Sequence, residues 1–239
     1  MATSEMPLIG MIVPPAAGAV PPEAPALYPQ GARFIAEGLG LERLTPDGYD
    51  AVIDNVVGAA ERLADRGADV VVLMGTSLSF YRGAAFNRSL IAAMQEATGL
   101  PATTMSAAIV EALQAVGGQR IALATAYVDD VNRRLADFLR DEGFEIAGLA
   151  ALEIADVDQI LAVSEETLTD LGERGAAAAP DADTLFISCG GLRTLGVTAR
   201  LEATTGLPVV SSAVAGAWSA MRLAGLPTHV VGRGRLLAA

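Results

Sequence analysis

The chain of 239 residues is 52% apolar and carries a formal net charge of −12, with one cysteine and one histidine. That length suffices for one large domain or two small ones around an ample core, and the acidic balance argues against a nucleic-acid or anionic-membrane partner while leaving room for a local small-anion site. A single cysteine forbids an intramolecular disulfide, which fits a reducing compartment, and the lone His229 rules out a His-rich metal site.

The opening stretch MATSEMPLIG has no basic region leading into an apolar one, so no signal peptide is expected. No apolar run reaches the length of a membrane span, and a cytoplasmic protein is expected. The first strand is read at 8–13. Residues 14–29, rich in Pro and Ala, read as an ordered loop leaving it, since a tail would not sit between two core elements. A helix is read over 49–66, opening after Thr45-Pro46-Asp47 and ending at Gly67. A strand at 70–74, a helix at 84–98 ending at Gly99, a strand at 102–104 and a helix at 106–116 follow. The alternation continues with a strand at 120–125, a helix at 129–142 ending at Gly143, a helix at 164–178 before Pro180, and a strand at 185–188. A helix at 194–205, a strand at 209–211 and a helix at 213–223 complete it. Strands alternating with helices of ten or more residues predict parallel sheets with crossover helices.

An internal repeat refines this. "ADVVVLMGTSLSFYRG" followed by "EATGLPATTMSAAIVEAL" matches "ADTLFISCGGLRTLG" followed by "EATTGLPVVSSAVAGAW", and upstream "IGMIVPP" pairs with "IALATAY". A period near a hundred residues suggests two duplicated α/β halves and not a solenoid. The first half is assigned to 1–117 with a returning segment 213–239, the second to 118–212. In this alignment Cys189 falls opposite Gly75 and Tyr127 opposite Pro15. Both loops sit at strand C-terminal ends, where α/β sheets bind ligands.

The chemistry follows from the residue types. A thiol before Gly190-Gly191 and a helix start is expected to sit near free amides that lower its pKa toward neutrality, leaving Cys189 as a proton donor, a proton acceptor or a nucleophile. The alternative is a cysteine packed as a small hydrophobe, although core packing does not ask for Cys-Gly-Gly and close backbone approach to a ligand does. Gly75-Thr76-Ser77 offers amides and two hydroxyls for a carboxylate or phosphate, or an ordinary helix cap. Tyr127 is placed to donate a hydrogen bond, or is a half-buried aromatic. No histidine stands near these loops, and CxxC, HExxH and Walker patterns are absent.

Duplicated halves with facing strand-end loops resemble the aspartate/glutamate racemase superfamily, whose racemases carry one cysteine on each loop. "GMIVPPAAG", "LMGTSLSFYRGAAFN", "TGLPATTMS", "ALATAYVDDVN" and "SCGGL" are similar, within it, to the arylmalonate decarboxylase family, more weakly over 143–183 and after Leu226. The resemblance implies two Rossmann-like halves, each a mostly parallel four-stranded sheet flanked by helices, with the active site between them. It implies a monomer that takes a small dicarboxylate, an α-aryl or α-vinyl malonate, without metal or cofactor. One carboxylate would be held by Thr76, Ser77, Tyr127, Gly190 and the Cys189 amide. The other would point into an apolar pocket whose walls include Pro14, Leu41, Leu44, Tyr49, Leu78, Val157 and Ile160, with Pro15 also in the substrate pocket and Gly75 leaving room there for the aryl group. Cys189 would protonate one face of the enediolate, and with Gly75 opposite a single enantiomer is expected. Maleate isomerase, hydantoin racemase and glutamate racemase are the enzymatic alternatives, but they generally want a second thiol. A non-catalytic small-acid binder on the same fold would need no reactive thiol.

Overall fold

A computed structural model describes residues 6–238; residues 1–5, the start of the stretch inspected for a targeting signal, and residue 239 lie outside the described residues. Two four-stranded sheets, parallel throughout, make up the fold. The first contains β1 (Leu8–Val13), β2 (Arg33–Gly38), β3 (Val70–Leu73) and β4 (Ala102–Thr104); the second contains β5 (Arg120–Thr125), β6 (Glu145–Ala151), β7 (Thr184–Ser188) and β8 (Val209–Ser211). The strand orders are β2-β1-β3-β4 and β6-β5-β7-β8, so the sequence repeat is a repeat of topology. In each sheet the chain turns one way after the first strand and the other way after the third element of the repeat. The C-terminal ends of β1 and β3, and of β5 and β7, therefore flank the switch points where a crevice opens.

The central strands β1, β3 and β7 are buried along their whole length, as continuous Val, Ile and Leu runs require of parallel strands covered on both faces. β2 and β6 were not anticipated. Both are sheet edges with mostly half-buried residues, and their sequences RFIAEG and EIAGLAA mix charge, Ala and Gly without alternation.

The helices are α1 (Glu23–Leu27), α2 (Pro46–Val52), α3 (Asn55–Asp65), α4 (Thr76–Phe80), α5 (Ala84–Thr98), α6 (Met105–Ala115), α7 (Asp129–Asp141), α8 (Val157–Leu161), α9 (Glu165–Ala177), α10 (Thr198–Thr205) and α11 (Ser212–Leu223), with a 3-10 turn at Arg235–Ala238. The helix read over 49–66 is two. Thr45 caps α2 by accepting from the Gly48 amide, with Pro46 at the first helical position, so the helix starts earlier than expected. The tighter Val56 N to Ile53 O bond then breaks the helix before α3 begins. The 14–29 loop carries α1, and the long segment after β6 carries α8; neither short helix has the period that would mark it in sequence.

The apolar stripe of α11 packs on α6 and α1 and on β3 and β4 of the first sheet, and more lightly on β7 and β8. Ten of its residues, Ser212 through Met221, are buried. No helix among the described residues is long and apolar enough to cross a membrane.

Candidate active site

A cavity of about 260 Å³ opens between the two sheets at these switch points. Its wall takes Pro14 and Pro15 from the end of β1, Gly75, Thr76 and Ser77 after β3, Tyr127 after β5, and Cys189 and Gly190 after β7. Leu41 and Leu44 from one half and Val157 and Ile160 from the other complete the predicted residues that line it. Tyr49 and Leu78 do not. Both are fully buried one layer behind: Tyr49 packs its ring on Tyr81 with centroids 4.9 Å apart, and Leu78 lies under Gly75, its Cβ 3.2 Å from where a Gly75 Cβ would stand.

The turn after β3 is braced from behind. Ser79 Oγ lies 2.9 Å from both the Gly75 and Thr76 carbonyl oxygens, and Ser106 Oγ donates to the Thr76 carbonyl at 3.0 Å. With those carbonyls engaged inside the protein, the first-turn amides of α4 have no intrahelical acceptor and no capping side chain. The Thr76 hydroxyl was expected to face a ligand. Here it donates to Met105 Sδ at 2.7 Å, because the β4–α6 junction brings that sulfur beneath the turn. The buried Tyr49 hydroxyl lies near Ser77 without a well-formed hydrogen bond.

Across the cavity, Cys189 adopts φ 145°, a backbone conformation in which side chains are rare; the other non-glycine residue with positive φ among those described is Glu153. Its amide donates to Ser212 Oγ at 3.2 Å, so that amide is not free for a carboxylate as expected. Gly190 and Gly191 explain the pair of glycines. A Cβ on Gly190 would stand 2.8 Å from Met105 Sδ and 3.2 Å from the Met74 carbonyl, and one on Gly191 would stand 3.1 Å from Ile160 Cγ2. Without side chains there, the backbone passes close beneath the thiol with no atom displaced.

The thiol is not acidified. Burial pushes it up to about 11, opposed by the Gly191 amide, the Tyr127 hydroxyl and the Leu192 amide. The expectation of a lowered pKa fails because burial outweighs the nearby amides, and no helix begins directly after Gly190-Gly191 to add its N-terminal charge. Turns fill that segment, and α10 starts only at Thr198. Cys189 is therefore a neutral thiol at ordinary pH. It holds a proton, with three donors ready to receive the thiolate that would form once that proton leaves.

Tyr127 is fully buried beside it, its phenol raised by burial and by the neighbouring Cys189, and is a donor at neutral pH. Asn132 Nδ2 donates to the Tyr127 carbonyl at 2.8 Å, and Thr125 Oγ1 donates to Asn132 Oδ1 at 2.6 Å, fixing the turn. Ser188 Oγ reaches the Tyr127 hydroxyl at 3.4 Å.

The apolar wall is clasped across the halves. The Leu44 amide donates to the Ala155 carbonyl at 2.8 Å, the Val157 amide to the Glu42 carbonyl at 3.2 Å, and Arg43 and Asp156 form an antiparallel bridge. Two charged wall residues escaped the sequence reading, Glu23 and Arg193. Arg193 stood four positions after the thiol and was therefore within reach of it; Glu23 was hidden in the Pro/Ala loop. No cluster of three or more metal-ligating side chains occurs among the described residues.

A family model described as arylmalonate decarboxylase matches residues 9–237. The chain is 56% identical over 225 residues to arylmalonate decarboxylase of Bordetella bronchiseptica, covering 94% of this chain and 93% of the relative. A liganded, doubly substituted arylmalonate decarboxylase superposes with a TM-score of 0.95 at 55% identity, over 97% of this chain and 99% of that one. A maleate cis-trans isomerase of Nocardia farcinica, with one cysteine exchanged for serine and a covalently bound succinylcysteine intermediate, superposes with a TM-score of 0.85 at 28% identity, over 97% and 98% of the two chains.

Proposed function

The chain belongs to the arylmalonate decarboxylase family, and from that premise we propose that it removes CO₂ from α-aryl or α-vinyl malonates bearing a second α-substituent, yielding one enantiomer of the monocarboxylic acid. The observation that carries the proposal is the pairing across the cavity: a protonated thiol on one loop and glycine on the other.

One substrate carboxylate binds among the α4 first-turn amides, Ser77, the Tyr127 hydroxyl and the Gly190 amide, with the Thr76 hydroxyl able to turn from Met105 toward it. The second carboxylate faces Pro14, Leu41, Leu44, Val157 and Ile160. An ionised group is poorly solvated against such side chains, and leaving as neutral CO₂ relieves that cost. The C–C bond pair passes into the retained carboxylate as an enediolate and into the aryl ring, so the reaction needs no external electron sink and no cofactor. Donors fixed around that oxygen pair stabilise the growing charge, and each is worth about 3–4 kcal/mol in comparable sites. Cys189 then delivers its proton to the α-carbon. The resulting thiolate is held by the Gly191 and Leu192 amides, joined by the Tyr127 hydroxyl as product leaves, and it is then reprotonated from solvent. Gly75 carries no acid, so the opposite face receives no proton.

Maleate isomerisation is the second reading, favoured by the shared fold. The Nocardia relative retains a reacting cysteine after another has been replaced. This chain has one cysteine in all, which leaves it short of that chemistry. The experiment is incubation with α-methyl-α-phenylmalonate beside a Cys189→Ala control, following CO₂ and chiral analysis of 2-phenylpropionate. Release by the parent protein alone, as one enantiomer, is expected. No release from either protein, with turnover of maleate, would overturn the assignment.

A further inference from the structure

The cavity has a second polar pole that the decarboxylation does not use. Glu23 is 4% exposed and lines the wall, yet its carboxyl makes no side-chain hydrogen bond or ion pair with any described residue; its nearest relief is its own main-chain amide and the charge of Arg193. Arg193 lines the same wall on an exposed side chain and makes no ion pair with Glu23 within contact distance. An acid in the first turn of a helix is ordinary where water reaches it. Burying one in the wall of a mostly apolar cavity is costly unless something in the cavity answers it. A carboxyl and a guanidinium that share a wall without touching leave space for a group that donates to one and accepts from the other. A phenolic hydroxyl is the smallest such group on an aryl ring.

We propose that Glu23 and Arg193 form a specificity subsite for a hydroxyl on the α-aryl ring, so that hydroxyarylmalonates are preferred over unsubstituted arylmalonates. The hydroxyl donates its proton to a Glu23 oxygen and accepts from an Arg193 N–H. The proposal rests on the cavity being the arylmalonate site, and a binding measurement tests it without relying on turnover.

Calorimetry with phenylacetate and with the ortho, meta and para hydroxyphenylacetates is the test, applied to the unmodified protein and to Glu23→Leu, Glu23→Gln and Arg193→Leu. One ring isomer is expected to bind about tenfold tighter than phenylacetate, as a hydrogen bond to a charged group gives. That ratio is expected to fall to near one in Glu23→Leu, to drop severalfold in Arg193→Leu, and to survive in part in Glu23→Gln, whose amide oxygen still accepts. The ratio is internal to each variant, so a general loss of affinity or folding does not mimic it. The proposal is overturned if no isomer is preferred, or if the preference persists in Glu23→Leu. The kcat/KM ratio for the corresponding 2-methylmalonates separates the two ideas. Preferential binding without decarboxylation of any malonate leaves the subsite standing and removes the reaction; decarboxylation without preference does the reverse.

Discussion

The two facing loops invert what backbone sterics would choose. Gly75 has φ −120°, an extended conformation that any residue adopts, whereas Cys189 has φ 145°, a conformation that favours glycine. If backbone freedom set the residue types, the glycine and the cysteine would change places. Gly75 instead keeps room: a Cβ there would stand 3.2 Å from Leu78 Cβ and 3.3 Å from Pro14 Cγ, tight contacts that the neighbours must yield to accommodate. Cys189 is fixed by what its thiol faces, at a cost of about 1–3 kcal/mol of local strain. Equivalent positions in a duplicated fold have thus been assigned by opposite criteria, room on one side and chemistry on the other.

The comparison breaks most sharply at the thiol. Cys189→Ala is expected to lower decarboxylation about 10²–10⁴-fold, the usual worth of a positioned acid, with the circular dichroism spectrum unchanged; activity within tenfold of the parent would show that the proton comes from elsewhere. Moving the acid is the next test. Gly75→Cys combined with Cys189→Ser is expected to restore part of the activity with the opposite product enantiomer by chiral chromatography, and retention of the original enantiomer would mean that Gly75 does not face the opposite side of the α-carbon.

A pH titration of the thiol follows. With its pKa raised to about 11, Cys189 is protonated throughout the neutral range, and the thiolate grows about tenfold per pH unit until pH passes 11. Alkylation by iodoacetamide, read by mass spectrometry, is expected to be slow at pH 7 and to climb with that slope. A plateau near pH 8.5 would show that the site does not disfavour the thiolate. The smallest effects are in stability. Alanine normally stabilises over glycine, but at position 189 Cys189→Gly is expected to exceed Cys189→Ala by about 1 kcal/mol in urea titration, because glycine releases the strain. At position 75 the backbone permits a side chain, so Gly75→Ala is expected to cost under about 1.5 kcal/mol, the neighbours yielding by a few tenths of an ångström.

Much of this was legible in the sequence because duplication wrote it twice. The buried strands announce themselves as continuous apolar runs, and the repeat aligned Gly75 with Cys189 before any geometry was known. The edge strands β2 and β6 escaped because an edge needs neither full burial nor alternation. The thiol's ionisation is not legible in "SCGGLRTLG", because the sequence shows the nearby amides but not the burial that outweighs them. The glycines instead serve the passage of the chain past Met105, Met74 and Ile160, and the turns after them delay α10 to Thr198. Tyr49 and Leu78 were placed one layer too far forward, since sequence similarity reports proximity to a site and not which side chain reaches its surface. Glu23 lies outside the repeated motifs, and Arg193, although inside "ADTLFISCGGLRTLG", has an uncharged counterpart in the other half, so the internal comparison singles out neither.

The return of α11 to the first sheet sets an order for synthesis. Its partner surfaces on α6, β3 and β4 are complete about 100 residues before α11 is made. At about 5–20 residues per second on the ribosome, the first half waits on the order of 5–20 s with that apolar face uncovered, while the second half emerges and folds between them. The nascent chain therefore exposes, for seconds, a surface that the finished protein never shows, and it is this face that a holding chaperone would meet.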